Sequence, residues 1–216
     1  MDTNSYKDAG FTDIDISVYH LIFLANSIEK IVKGFVSIID KIEDDDEKAI
    51  YVASYSLVTI QTIYFLDEFS EFKVPSTSEL HQDVLFLRKA LKPAIKALQQ
   101  WKEMRDFRNN VLAHNLRSQK DNQNSVFQRG LDSYDAPKNG HDLGVIISCV
   151  SIIRQVLERK FGDRQQQFRN YIQTNRKPSI SARYLTQPET SAAIDRIIMQ
   201  VSILLAPATS SSSENV

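Results

Sequence analysis

The chain of 216 residues contains a single cysteine, Cys149. One thiol cannot form an intrachain disulfide or a structural zinc site of several thiolates. Its neighbours Ile146, Ile147 and Val150 are apolar, which predicts a small core residue. The absence of disulfides suits a reducing cytoplasm. Glycine and proline are scarce, at six each. Folds with many tight turns draw heavily on both residues, so their scarcity favours long helices over a β-rich fold. Excess charge is also missing. The formal net charge is -1, so no global basic field draws nucleic acid to the protein, and any such contact needs a local patch. There is no glycine-rich phosphate loop, no nucleophile-elbow serine and no cofactor fingerprint. No histidine stands at metal-ligand spacing from another His, Cys or Glu. No cofactor and no metal are therefore expected.

The N-terminus, MDTNSYKDAG, is polar and partly acidic, unlike a signal peptide. Ala49 to Leu66 carries no formal charge. It is a little short of the ~20 residues that span a bilayer, and it holds Ser54, Ser56, Thr59, Gln61 and Thr62. A helix apolar on most sides is otherwise the centre of a bundle, so no membrane contact is expected and the chain is read as cytoplasmic.

What the sequence does have is helical periodicity, with enough apolar residues, 42 %, for one core. Val18, Leu21, Ala25, Ile28, Val32, Phe35, Ile39 and Ile42 follow each other at three and four, predicting a helix from 13 to 42 capped by Thr12 or Asp13. The acidic run Glu43 to Glu47 lies where the macrodipole of a second helix, 47 to 72, favours negative charge. Lys73 to Thr77 ends it, and Ser76 or Ser78 can cap a third. Pro93 falls inside that third pattern and predicts a kink or a break, with a new helix beginning there. The period resumes through Ala97, Trp101, Met104, Phe107, Val111 and His114. Residues 117 to 140 are rich in polar residues and turn formers, predicting a long loop. A helix from 142 to 175, with an interruption at Gly162, and a last one from 190 to 205 complete an all-α bundle of about five to six helices. The expected organisation is a loosely ordered 1–12, a single domain 13–205 and a disordered, Ser-rich tail 206–216.

Two basic groups stand out, Lys102, Arg105, Arg108, Arg117 and Lys120, and Arg154, Arg159, Lys160, Arg164 and Arg169. Such groups are usually solvated helix faces. Of the histidines other than His114, His20 is expected to pack beside the first stripe, His81 to be exposed, and His141 to begin or cap a helix.

The stretch Arg105-Asp106-Phe107-Arg108-Asn109-Asn110-Val111-Leu112-Ala113-His114-Asn115 resembles the signature of HEPN domains: an Arg, a polar residue, and a His after a short gap. Five residues separate Arg108 from His114 here, and Asn109 fills the polar position. Ser56 to Glu68, and Tyr134 through Asp142 to Leu157, are similar to the flanking core helix and loop–helix of the abortive-infection branch of that superfamily. The likeness spans roughly residues 13 to 161. It implies an antiparallel helical bundle with a long loop after the motif helix. It further implies a metal-independent endoribonuclease of toxin–antitoxin or phage-defence systems, a homodimer with two motifs facing one cleft, and an antitoxin partner such as a nucleotidyltransferase-like protein. On the same analogy His114 is the general base at the ribose 2′-OH, Arg108 holds the scissile phosphate, and Asn109 orients the His or binds phosphate. Lys102, Arg105, Arg117 and Lys120 would bind RNA.

The residues can also be read without the family. His114 continues the apolar stripe Met104-Phe107-Val111, where an unpaired ring costs about 1–3 kcal/mol when buried. At about 100° per residue, Arg108 and His114 point about 120° apart on one helix. A tight pair within one chain is thus not formed, whereas a site composed between two chains removes the difficulty. Three alternatives stay open. His114 can cap helix-end carbonyls while Arg108 pairs with Asp106 or the acidic run. The chain can be a non-catalytic RNA- or protein-binding module using residues 117–140 and the basic helix 154–169. It can also be a structural partner such as an antitoxin subunit.

Overall fold

The computed structural model describes residues 5–39, 44–109, 133–175 and 187–205. Among them the chain forms helices and no strand: α1 (Ser5–Asp8), α2 (Asp13–Ile39), α3 (Asp44–Glu71), α4 (His81–Leu98), α5 (Met104–Phe107), α6 (Gly140–Asn175) and α7 (Gln187–Leu205). It divides into two compact units, Met1–Thr174 and Asn175–Val216.

In the first unit α2 begins with a cap supplied by Asp15. The Thr12 backbone N–H and hydroxyl both donate to the Asp15 carboxylate at 2.7 Å, so the acidic residue of the first turn satisfies a donor just outside the helix. The stripe Val18, Leu21, Ala25, Ile28, Val32 and Phe35 is buried throughout. α3 runs antiparallel to it: Ser17 bonds Glu68 at one end, and Phe35 packs edge-on to Tyr51 at the other. The uncharged stretch of α3 holds Val58, Thr59, Thr62, Ile63 and Phe65, each almost wholly buried. That is the central-helix position expected of it.

α6 is antiparallel to α2 and parallel to α3. Glu29 of α2 receives Ser151 and Arg154 of α6, and Asp15 receives Arg164; Phe72 of α3 meets Phe161. Leu143, Ile146, Val150, Ile153 and Leu157 form the buried stripe of α6, with Cys149 beside it and its thiol pKa raised by burial. Among the described residues α6 is the one helix long and apolar enough to cross a membrane, with an 18-residue stretch of mean hydropathy 1.3. Asn139 caps its start by accepting the Asp142 N–H, while Asp142 accepts the Lys138 N–H.

Two expected breaks are absent. α4 runs through Pro93 and ends at Leu98. The carbonyl that Pro93 leaves without its helical donor belongs to Lys89, and both residues face solvent, where water can serve it. α6 likewise continues through Gly162. A helical glycine costs about 1 kcal/mol, and burial of Phe161 and Phe168 around it outweighs that. His20 is exposed rather than packed, with Nδ1 3.4 Å from Glu68. His81 is half-buried, and His141 lies in the first turn of α6.

The second unit contains α7, with Pro188 in its first turn, a position that needs no backbone N–H. Ile194, Ile197, Ile198 and Met199 are exposed on it.

Candidate functional site

The first half of the motif sits on α5, and the link 99–103 aims it. Leu98 closes α4 fully buried, and Trp101 turns into the core within the link. The link is fixed by the chain that returns after residue 132. Lys102 N–H donates to the Asp135 carboxylate at 3.0 Å, Glu103 N–H to the Asp135 carbonyl at 3.0 Å, and Asp135 N–H to the Glu103 carboxylate at 2.9 Å. Beside this clamp Tyr134, 1 % exposed, packs edge-on against Phe107 with ring centroids 5.6 Å apart. Phe107 and Tyr134 thereby meet within one core.

Met104 and Phe107 anchor α5 inward, which turns Arg105 outward. Its guanidinium forms two hydrogen bonds with Asp67 of α3, which raise the Arg105 pKa. Both side chains are about half exposed, so the pair contributes roughly 0–1 kcal/mol. Arg108 is half-buried, at the start of a widened, π-type turn that also includes Asn109. Such turns recur at functional sites. Arg108 Nε donates to Asn109 Oδ1 at 3.1 Å. Among the described residues no carboxylate pairs with Arg108, so the Asp106 pairing is not made. Its positive charge rests against a neutral amide, and the Asn109 amide N–H groups remain as further donors.

Lys102 and Arg105 line a groove of about 260 Å³ between α3 and the α4–α5 link. It shares Leu66, Ser70 and Gln99 with an adjoining groove of about 400 Å³ that is edged by Arg88, Lys89 and Lys92 of α4. Arg108 and Asn109 are not among the lining residues of either. Arg88 is engaged structurally: its guanidinium donates to the carbonyls of Phe69 at 2.9 Å and Phe72 at 2.7 Å, satisfying the end of α3, and lies 5.4 Å from the Phe69 ring. The cations of α4 did not emerge from the sequence reading. Their signal was present in the spacing of Lys89, Lys92 and Lys96 on one helical face.

Of the expected site residues, Arg108 and Asn109 meet each other, and Lys102 and Arg105 meet in the groove. His114, Arg117 and Lys120 lie outside the described residues. The second basic group has a different use. Arg154 pairs with Glu29 and Glu158, Arg164 with Asp15, and Lys160 with Asp83. Asp15 is 1 % exposed. Burial pushes its pKa up, but the hydrogen bonds from Arg164 and Thr12 more than compensate and hold it below the usual carboxylate range. Glu29 is likewise raised by burial and brought lower on balance by Ser151, Arg154 and Lys33.

Comparison with protein-family models, curated proteins and solved structures gives no match.

Proposed function

We propose that the chain is a metal-independent endoribonuclease of the HEPN type, acting in the cytoplasm as a homodimer in a toxin–antitoxin or phage-defence system. One observation carries the reading furthest. Arg108, the arginine of the motif, keeps a charge that no described carboxylate neutralises, in a turn that directly follows α5, whose Met104 and Arg105 line a groove edged by cations. An arginine held by a neutral amide is prepared for an anion, since its planar fork matches phosphate oxygens.

In the proposed reaction His114, whose imidazole titrates near neutrality, takes the proton of a ribose 2′-OH. The 2′-oxygen attacks the adjacent phosphorus. The new O2′–P bond forms as the P–O5′ bond breaks, giving a 2′,3′-cyclic phosphate on one fragment and, after protonation of the leaving oxygen, a 5′-OH on the other. Arg108 offsets the charge that gathers on the phosphoryl oxygens, and Asn109 holds Arg108 in place. In the proposed homodimer the partner copy's motif completes the cleft, as the resemblance implies. An antitoxin, for which a nucleotidyltransferase-like protein is the candidate, would silence the cleft.

The test is expression of wild type beside His114→Ala, with growth followed and total RNA examined for new cleavage ends. Toxicity and cyclic-phosphate ends that vanish together in the variant are expected. Identical ends in both strains would remove His114 from the chemistry.

A further inference from the structure

We propose that the joined groove between α3 and α4 is a track for single-stranded RNA, with the backbone running along Lys89, Lys92 and Lys102 and a base stacked on Phe86. The proposal names a binding site away from the motif, and it rests on the ribonuclease reading only in treating the bound strand as substrate. Three features converge on it. The two grooves, of about 400 and 260 Å³, are continuous through Leu66, Ser70 and Gln99. They are one-sided in charge: Arg88, Lys89, Lys92, Lys102 and Arg105 line them against the lone carboxylate Asp67, which Arg105 already occupies. Lys89, Lys92 and Lys102 are exposed and have no ion pair among the described residues. A chain of net charge -1 thus places three cations without an ion pair among the described residues along one concavity, where a polyanion gains most.

The third feature is aromatic. Phe86 is 70 % exposed and Leu85 49 %; Phe86 lies about 60° around α4 from Lys89 and lines neither groove. One helical turn, about 5 Å, separates Phe86 from Lys89, and a second separates it from Lys92. An exposed aromatic ring one turn from Lys89, which lines the groove, is placed to stack an unpaired base while cations follow the backbone. A duplex offers no unstacked base to the ring. The groove floor is apolar, with Leu66, Phe69 and Ile95, and suits bases and sugars more than a hydrated duplex backbone.

The experiment measures binding of a fluorescein-labelled oligouridylate by anisotropy, using the full-length protein with His114→Ala to prevent turnover. Lys89→Gln/Lys92→Gln is expected to weaken binding about tenfold and to lower the slope of log affinity against log salt by about 1.4, which is ~0.7 for each released phosphate contact. Phe86→Ser is expected to weaken it at least about fivefold with little change in the salt slope. Phe86 is exposed, so its loss leaves the fold intact, and circular dichroism checks this. Undiminished binding by all the variants, equal binding of duplex RNA, or a preference for oligothymidylate overturns the track. The two readings fail separately. Groove-dependent binding without cleavage by wild type removes the ribonuclease and keeps the track. Cleavage whose KM is unmoved by Lys89→Gln/Lys92→Gln removes the track and keeps the ribonuclease.

Discussion

Arg105 of α5 grips Asp67 of α3 with both terminal nitrogens, so one cation of the groove is already neutralised by the wall opposite it. The pair is half exposed and worth little to stability. Asp67→Asn should therefore change the melting temperature by no more than about 2 °C. It should also raise affinity for single-stranded RNA about two- to threefold by releasing Arg105. Anisotropy titrations at two salt concentrations check this. Weaker binding by Asp67→Asn would mean that Asp67 positions Arg105 rather than competing for it.

Tyr134 and Phe107 join the two ends of the chain that carries the second half of the motif. Tyr134 is almost wholly buried against Phe107. Tyr134→Ala removes an aromatic ring from a filled core, a loss of about 3–5 kcal/mol. For a unit of this size that lowers the melting temperature by about 10 °C. Thermal unfolding followed by circular dichroism is the measurement. A shift under about 3 °C would show that the return segment does not depend on this contact.

The stripes of α2 and α6 were legible in the sequence because three-and-four spacing maps directly onto one buried face. Val18 to Phe35 and Leu143 to Leu157 lie where that spacing puts them. The chain does not break at Pro93 or at Gly162, for one shared reason. Each marks a local cost of a few kcal/mol at most, and packing of the flanking apolar residues exceeds it. Residue type alone does not reveal that Lys89, whose carbonyl Pro93 orphans, lies on the exposed side of α4. The cations were hardest to sort. Arg154 and Arg164 read as a free basic face, yet their partners Glu29 and Asp15 lie 125 and 149 positions away. Lys89 and Lys92, with no such partner, form the more open surface. Long-range pairing decides which cations are available, and one sequence does not display it. Of the candidate site, the motif spacing singled out Arg108 and Asn109 but gave Asn109 to the His or to phosphate, and the bond between the two was not read from it. The groove needed α3, α4 and the link brought together.

The buried carboxylates set the acid stability of the first unit. Asp15 and Glu29 both titrate below their ordinary values, so the folded chain binds fewer protons than the unfolded one as pH falls. Their contribution is complete above the unfolded carboxylate values of about 4. It disappears as pH drops through that region towards their folded values. Urea midpoints are expected to fall between pH 6 and pH 3. In Asp15→Asn the fall should be shallower, and stability at pH 7 lower by about 2 kcal/mol, because Arg164 and the Thr12 N–H lose a charged acceptor. A pH slope identical to wild type would exclude Asp15 as a source of the acid loss.

Arg108 separates chemistry from stability. Its one described partner is the neighbouring Asn109, so Arg108→Ala breaks no ion pair and should leave the melting temperature within about 2 °C of wild type. The same change should lower the cleavage rate by about 10²–10³, the size of effect seen when one preorganised donor to a developing anion is lost. Arg108→Lys keeps the charge but not the planar fork, and a point charge cannot reproduce two parallel bonds to phosphate oxygens. It should recover less than about a tenth of the lost rate. Single-turnover cleavage of a labelled RNA, with thermal melts on the same preparations, reads both quantities. Full activity in Arg108→Lys would reduce the role of Arg108 to bulk electrostatics. A melting temperature that falls in step with the rate would make Arg108 a packing residue, and the phosphate would have to be held by another group.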